Sequence, residues 1–373
     1  MGMRKTDVVI VGGGLVGAAT AFFLRQRGLS VTVLERDRVG AHASGTNFGN
    51  VRRQGRYPPQ LPLANRSLAI WRRLPSLIGE DAEFRVTGHI RAITEESAGA
   101  MAERFAEDAL PYGLSIELLG QNAMRQRFPF FGDTVIMGSF SPKDGQANPR
   151  LAAPAFARAA QRAGAVIIEG CTVTAIERDG ADYLVETDQG TFHAGAVQIS
   201  AGAWGGLLAA TFGETVPLSP GGPQMAVTEP LPYGLTPVVG VWTQDKARNI
   251  YCRQVERGNV VFGGGVRGDA SLTTRRATLN PVNTQRQMDT LTGLIPALGH
   301  ARIIRTWSGV EGYVDDGLPV MGPSARHPGL FYAFGFCGHG FQLAPGVGDV
   351  MAELIATGQT TTPIEDFAIQ RFA

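Results

Sequence analysis

The turn Gly12-Gly13-Gly14-Leu15-Val16-Gly17 constrains this chain more than any other stretch. It follows Asp7-Val8-Val9-Ile10-Val11, which reads as a short buried strand, and leads into Ala18 to Arg25, which reads as a helix closed by Gly28. A second apolar strand, Ser30 to Leu34, ends on Glu35. Strand, glycine turn, helix, second strand and acid in this order make the unit that binds a dinucleotide. Gly12 permits the tight turn, Gly14 lets the backbone approach a pyrophosphate, and Gly17 lets the helix pack on the strands. The first helical turn, with Leu15 and Val16, offers free N–H groups and positive potential to the diphosphate. Glu35, with Arg36 beside it, is placed to accept hydrogen bonds from an adenosine ribose.

The rest of the chain must complete that unit. At 373 residues it is long enough for two domains. A net charge of +1 argues against nucleic-acid or polybasic membrane binding. Three separated cysteines, Cys171, Cys252 and Cys337, imply neither a disulfide framework nor a metal cluster, and suit a reducing compartment. No stretch approaches the length of a membrane span, and the N-terminus leads straight into the first strand, so a cytoplasmic chain without a signal peptide is expected. Gly2 to Thr6 matches a myristoylation pattern, but an acyl chain there would sit beneath a buried strand, so no lipid is expected.

Arg36 to Val51 is a long run of small and polar residues without helical or strand period. Loops of this length inside a compact fold are usually functional. Ala43, Ser44, Gly45, Asn47, Gly49, Asn50 and Val51 are therefore candidates to close on an extended ligand. Pro58 to Ile78 reads as one helix, Glu83 to Thr94 as strands, Phe140 to Asn148 as a loop and Pro149 to Ala163 as an amphipathic helix. Short strands follow at Ala165 to Glu169, Val173 to Arg178, Tyr183 to Thr187 and Thr191 to Ser200. Val173 and the small-residue turn Ala201, Gly202 and Trp204 offer further approaches to a cofactor. From Val216 to Val314, β segments alternate charged and aromatic residues, as in a sheet with one face open to a pocket. A last strand, Leu330 to Phe334, runs through a glycine-rich turn into a final helix, a second anion site made of Gly338, His339, Gly340, Phe341 and Gln342. The expected class is α/β: a Rossmann-like dinucleotide domain (1–80, 145–215 and 315–373) with an inserted, mainly antiparallel substrate domain (81–144 and 216–314).

With those residues in hand, the chain resembles the FAD-dependent amine oxidoreductases typified by D-amino-acid oxidase. Within them it looks like the branch of glycine oxidase and the sarcosine oxidase β-subunit, most of all the catalytic subunits of opine oxidases and D-hydroxyproline dehydrogenases. The carriers are Val9 to Gly17 with Glu35, Ser44 to Arg53, Ser200 to Trp204, Asp316 to Gly322 and, most specific, Gly335 to Phe341. The resemblance implies FAD as the dinucleotide, and hydride transfer from the α-carbon of an amino-acid derivative to flavin N5. A secondary amine is expected, as in an opine, an N-methyl amino acid or a D-proline or hydroxyproline type. It also implies partner subunits carrying electron-transfer cofactors. A free-standing glycine or D-amino-acid oxidase releasing peroxide, and a subunit that holds FAD without substrate chemistry, are the alternatives.

Two departures matter. Where glycine-oxidase relatives carry an Arg that grips the substrate carboxylate, this chain has Glu311, and where sarcosine-oxidase relatives place a Lys it has Gln342. Glu311 would favour a substrate with an extra cationic group, unless it only pairs with a neighbouring Arg. Arg53, Arg253 and Tyr251 remain as candidates for a substrate carboxylate. Cys337, inside the flavin-proximal motif, reads as a small buried residue rather than a covalent tether.

Overall fold

The structure is a computed structural model and describes residues 4–373. Gly2, the acceptor in the myristoylation pattern, lies outside the described residues. The first strand, Arg4–Val11, pairs in parallel with Val31–Leu34 on one side and Gly190–Ile199 on the other. The apolar run Val8 to Val11 is buried on both faces, as a central parallel strand requires. The full order is Val320–Pro323, Leu330–Phe334, Gly190–Ile199, Arg4–Val11, Val31–Leu34, Val166–Ile168, with the antiparallel arm Val173–Asp179 and Asp182–Thr187 attached to Gly190–Ile199. Helix Leu15–Gln26 packs between helices Pro149–Arg162 and Gly340–Thr357 on one face. Phe22, Phe23 and Phe156 fill the contact with the former helix.

A second sheet runs in the order Ile303–Ser308, Gln224–Pro230, Asn259–Gly264, Ile250–Gln254, Val238–Val241, His89–Ile93, Met137–Ser141, Glu117–Gly120. Its side chains alternate as strands must. Ile90, Ala92, Ile250, Cys252 and Phe262 join the core that includes Leu291 and Leu294 of helix Pro281–Leu294. His89, Arg91, Gly240 and Tyr251 lie on the other face, which lines a cavity.

Some local expectations differ. Pro58 to Ile78 is not one helix but a 3₁₀ turn Pro58–Gln60 and helices Leu61–Trp71 and Leu74–Ile78. Pro75, in the first turn of the last piece, cannot donate the N–H that would continue the preceding helix. Only His89–Ile93 of the Glu83 to Thr94 stretch is a strand, because Ala82 and Glu83 take left-handed backbone at φ 49° and 53°. The Phe140 to Asn148 loop contains the end of strand Met137–Ser141 and the short strand Gly145–Gln146. Among the described residues no helix is long and apolar enough to cross a membrane.

Candidate active site

A cavity of about 1060 Å³ runs from the opening glycine turn to the exposed face of the second sheet. At the first end, Gly12 has φ +108°, and a Cβ there would lie 2.5 Å from the Ser200 carbonyl oxygen. Gly17 is equally constrained, since a Cβ would come within 2.0 Å of the Gly12 carbonyl oxygen. Both positions need glycine, for the turn and for helix packing respectively. The Leu15 N–H, in the first turn of the helix, donates to Ser44 Oγ at 2.9 Å. Glu35 accepts from the Gly13 N–H at 2.7 Å and the Asp37 N–H at 2.8 Å. Its carboxylate therefore braces the glycine turn while facing the cavity.

Most of the residues expected around a dinucleotide line this cavity: Gly12, Gly14, Leu15, Val16, Glu35, Arg36, Ala43, Ser44, Asn47, Gly49, Asn50, Val173, Ala201, Gly202, Trp204 and Gly338 to Gln342. Three do not. Gly17 faces the Gly12 backbone, Gly45 abuts the Gly40 carbonyl, and Val51 points into the core behind the glycine turn. At the rim, the Arg36 guanidinium lies 4.0 Å from the Trp204 ring centroid, and His42 packs 5.0 Å from it. A hairpin from the second sheet's side, Ala270–Ser271 with Arg276–Ala277, reaches this rim. Trp204 Nε1 donates to the Leu272 carbonyl at 2.9 Å, and Arg275 pairs with Asp37 at 2.6 Å.

The other end departs from expectation. Arg53 is 7% exposed and its guanidinium is committed elsewhere: Nε donates to Asp144 at 3.0 Å and Nη1 to Asn65 at 3.0 Å. Arg253 donates to the Phe48 carbonyl at 2.7 Å and to Gln146 at 3.0 Å. Neither lines the cavity. Tyr251 does, packed on Phe48, and burial followed by the charge of Glu311 pushes its phenol upward, so it stays a neutral donor. Glu311 also faces the cavity, but Oε1 accepts from the Gly338 N–H at 2.7 Å and Oε2 from the Tyr313 hydroxyl at 2.7 Å. It binds the flavin-proximal turn rather than pairing with an Arg, and burial raises its carboxyl against those two hydrogen bonds. Gln342 donates to the Ala64 carbonyl at 2.8 Å and keeps Oε1 unpartnered. Cys337 takes φ +52°, and burial pushes its thiol up to about 11. The motif thiol is half-buried and protonated, which gives it no nucleophilic character at neutral pH.

Sequence reasoning missed several cations that do face the cavity, among them Arg52, Arg56, Arg91 and Arg267. Arg91 lies over the Trp242 ring at 3.7 Å, donates twice to the Val241 carbonyl, and burial lowers it to about 9. Arg56 donates to the neutral oxygens of Arg52, Gln60 and His339. His89 and His339 are held far below the usual imidazole range, first by burial and then by these guanidiniums, so both are neutral. No periodicity marked them in the sequence: Arg52 lines the cavity while its neighbour Arg53 turns to Asp144.

The residues fit a flavin dinucleotide. The cavity is at the upper end of the ~300–1,000 Å³ typical of ligand sites, and two buried polar atoms on its wall, Asn50 Oδ1 and Gln342 Oε1, have no protein partner. A Rossmann-type glycine turn at one end of a cavity, and a second, glycine-rich helix start beside a cationic pocket further along it, define a dinucleotide-dependent enzyme. The chain belongs to the FAD dependent oxidoreductase family, whose profile matches residues 7–354, and FAD is its cofactor. It is 29% identical over 377 residues to the glycine oxidase of Geobacillus kaustophilus (strain HTA426), covering 99% of this chain and 97% of that protein. One subunit of the opine oxidase of Rhizobium meliloti is 26% identical over 381 residues, with coverage of 99% and 98%. The crystal structure of L-proline dehydrogenase from P. horikoshii superposes with a TM-score of 0.92 at 28% identity, over 99% of this chain and 98% of that one.

Proposed function

We propose that the chain dehydrogenates an amino-acid derivative with a secondary amine, as the catalytic subunit of a hetero-oligomeric dehydrogenase. The observation that carries this reading is the meeting, at one end of the cavity, of the Gly335-to-Gly340 turn with Tyr251 and the Arg267 guanidinium. Such a wall recognises a carboxylate. Glycine, opine and L-proline, named in the relatives, are all amines beside a carboxylate. Bound FAD supplies acceptance of a hydride from the α-carbon; the nitrogen gives up a proton, and water adding across the C=N bond yields an oxo acid and an amine. Dioxygen or an electron-transfer partner then takes the two electrons.

The protein's own groups bind and tune the substrate. Tyr251 and Arg267 orient the carboxylate beside the amine, and Glu311 fixes the Gly338 backbone against which the reacting carbon is presented. The positive field that keeps His89 and His339 neutral acts equally on a substrate ammonium and favours the free amine, the form that can be oxidised. We assign residues 1–80, 145–215 and 315–373 to FAD and 81–144 and 216–314 to substrate, which agrees with the segments that feed each sheet. Three cysteines without disulfides support a cytoplasmic setting. Anaerobic titration of the holoenzyme with N-methyl amino acids, opines and cyclic imino acids tests the reading: one class bleaches the flavin, and bleaching by none refutes it. A free-standing oxidase, which the glycine oxidase similarity favours, would release peroxide from the isolated chain.

A further inference from the structure

Four guanidiniums line the substrate end of the cavity, those of Arg52, Arg56, Arg91 and Arg267, and among the described residues none forms an ion pair. The carboxylates that could serve them are committed. Asp144 is fully buried and takes Arg53 Nε together with the N–H groups of Arg53 and Gln54. Glu311 holds Tyr313 and Gly338. Asp144 reaches Arg52 and Arg56, and Glu311 reaches Arg267, by charge alone and without a hydrogen bond, so a single substrate carboxylate leaves Arg91 and part of the remaining charge unanswered, and uncompensated buried charge is costly.

The cations also stand in two places. Across the second sheet, one register row reads Arg91, Gly240, Tyr251, Gly263. Arg91 and Tyr251 are two strand spacings apart, ~10 Å, and the residue between them has no side chain. At the far end, Arg91 Nη1 and Arg52 Nη1 lie 2.2 and 3.5 Å from where a Cβ on Gly55 would sit, so both guanidiniums converge on that bare backbone. At the near end, Arg267 stacks 3.4 Å from the Tyr313 ring centroid. The result is a trough with a glycine floor and a cation at each end.

We propose that Arg52 and Arg91 form a second anion subsite and that the substrate is a secondary amine bearing a carboxylate on each arm, an N-(carboxyalkyl) amino acid. This rests on the secondary-amine reading above and narrows it to the opine type, whose amine carries a carboxylate on each arm. N-methylglycine and proline carry one carboxylate and fill only one end. Recognition of a cationic side chain by Glu311 is not required, since that carboxylate is already engaged.

Thioethers, with sulfur in place of the amine nitrogen, bind without being oxidised and perturb the flavin spectrum of the holoenzyme. The probes are (methylthio)acetate, with one carboxylate, and a dicarboxylate series from thiodiacetate to its homologues with one or two further methylenes in one arm. The best dicarboxylate is expected to bind about tenfold or more tighter than (methylthio)acetate, a charge-assisted contact's worth. Arg91→Met should reduce that ratio to near one while (methylthio)acetate keeps its affinity within about twofold, and Arg91→Lys should restore part of it. Arg52→Met provides the same test should Arg91→Met fail to fold. Equal affinities in the wild type, or a ratio that survives both Met variants, overturn the subsite and leave the secondary-amine reading standing. Failure of every thioether to perturb the flavin overturns the amino-acid reading, and the subsite with it.

Discussion

Arg52 and Arg53 are neighbours in sequence with opposite roles, and exchanging each for Met separates them. Arg53→Met leaves Asp144, fully buried, with only the N–H groups of residues 53 and 54 as partners. Breaking a buried ion pair on one side costs about 3–5 kcal/mol. With an unfolding entropy of ~2.1 cal/mol/K per residue over 373 residues, that is a Tm loss of about 4–6 °C. Arg52 donates to the Gln54 carbonyl, and the attraction of Asp144 is opposed by its burial and by the like charge of Arg56, so Arg52→Met should change stability by less than ~1 kcal/mol. Its loss falls on ligand affinity instead: one charge-assisted hydrogen bond, ~1.5–3 kcal/mol, or about 10- to 150-fold in the Kd of thiodiacetate. Thermal unfolding and spectral titration of the two holoenzymes give both numbers. An Arg53→Met protein that melts like the wild type but binds the dicarboxylate more weakly than Arg52→Met would reverse the assignment.

Gly12→Ala, which forces a Cβ against the Ser200 carbonyl at φ +108°, should yield a protein with little or no flavin, read from its visible absorbance. Arg275→Ala removes the ion pair that ties the hairpin to Asp37 at the cavity rim. FAD release, followed by recovery of flavin fluorescence, should then quicken several-fold, and an unchanged rate would show that the hairpin does not hold the cofactor in. Cys337, with its thiol near 11, should have about one part in a thousand as thiolate at pH 8, and its alkylation should rise tenfold per pH unit up to that value. Fast labelling at neutral pH would contradict its buried, protonated state.

The cofactor end was legible because its determinants are local. Gly12, Gly14, Gly17 and Glu35 lie within one strand–helix–strand unit, and Gly17 is constrained by the Gly12 backbone and Gly12 by the end of the adjoining strand, while Gly14 meets the Ser44 hydroxyl. The strand Leu330–Phe334 and the helix start after it were readable for the same reason. The substrate end was not, because its residues meet only through long-range pairing. His89–Ile93 runs parallel to Val238–Val241, and only that register brings Arg91 level with Gly240 and Tyr251. Arg53 was singled out and Arg52 passed over, because only the pairing of strand Asn50–Val51 with Gly145–Gln146 brings the preceding residue, Asp144, to Arg53.

Glu311 carries the widest consequence of that geometry. Read along the chain, it marks the loss of a carboxylate-binding Arg from the strand before the flavin-proximal turn. In the fold, Glu311–Val314 pairs with Leu218–Gly221, and Glu311 turns its carboxylate onto Gly338 and Tyr313. The guanidiniums proposed as the second anion subsite come instead from strand His89–Ile93 of the second sheet and from the segment around Gly55. A substrate held there is anchored from the sheet floor rather than from the turn. On the proposal above, a positive wall persists although position 311 carries a negative charge, and the trough between Arg91 and Tyr251 sets the length of molecule that can use it.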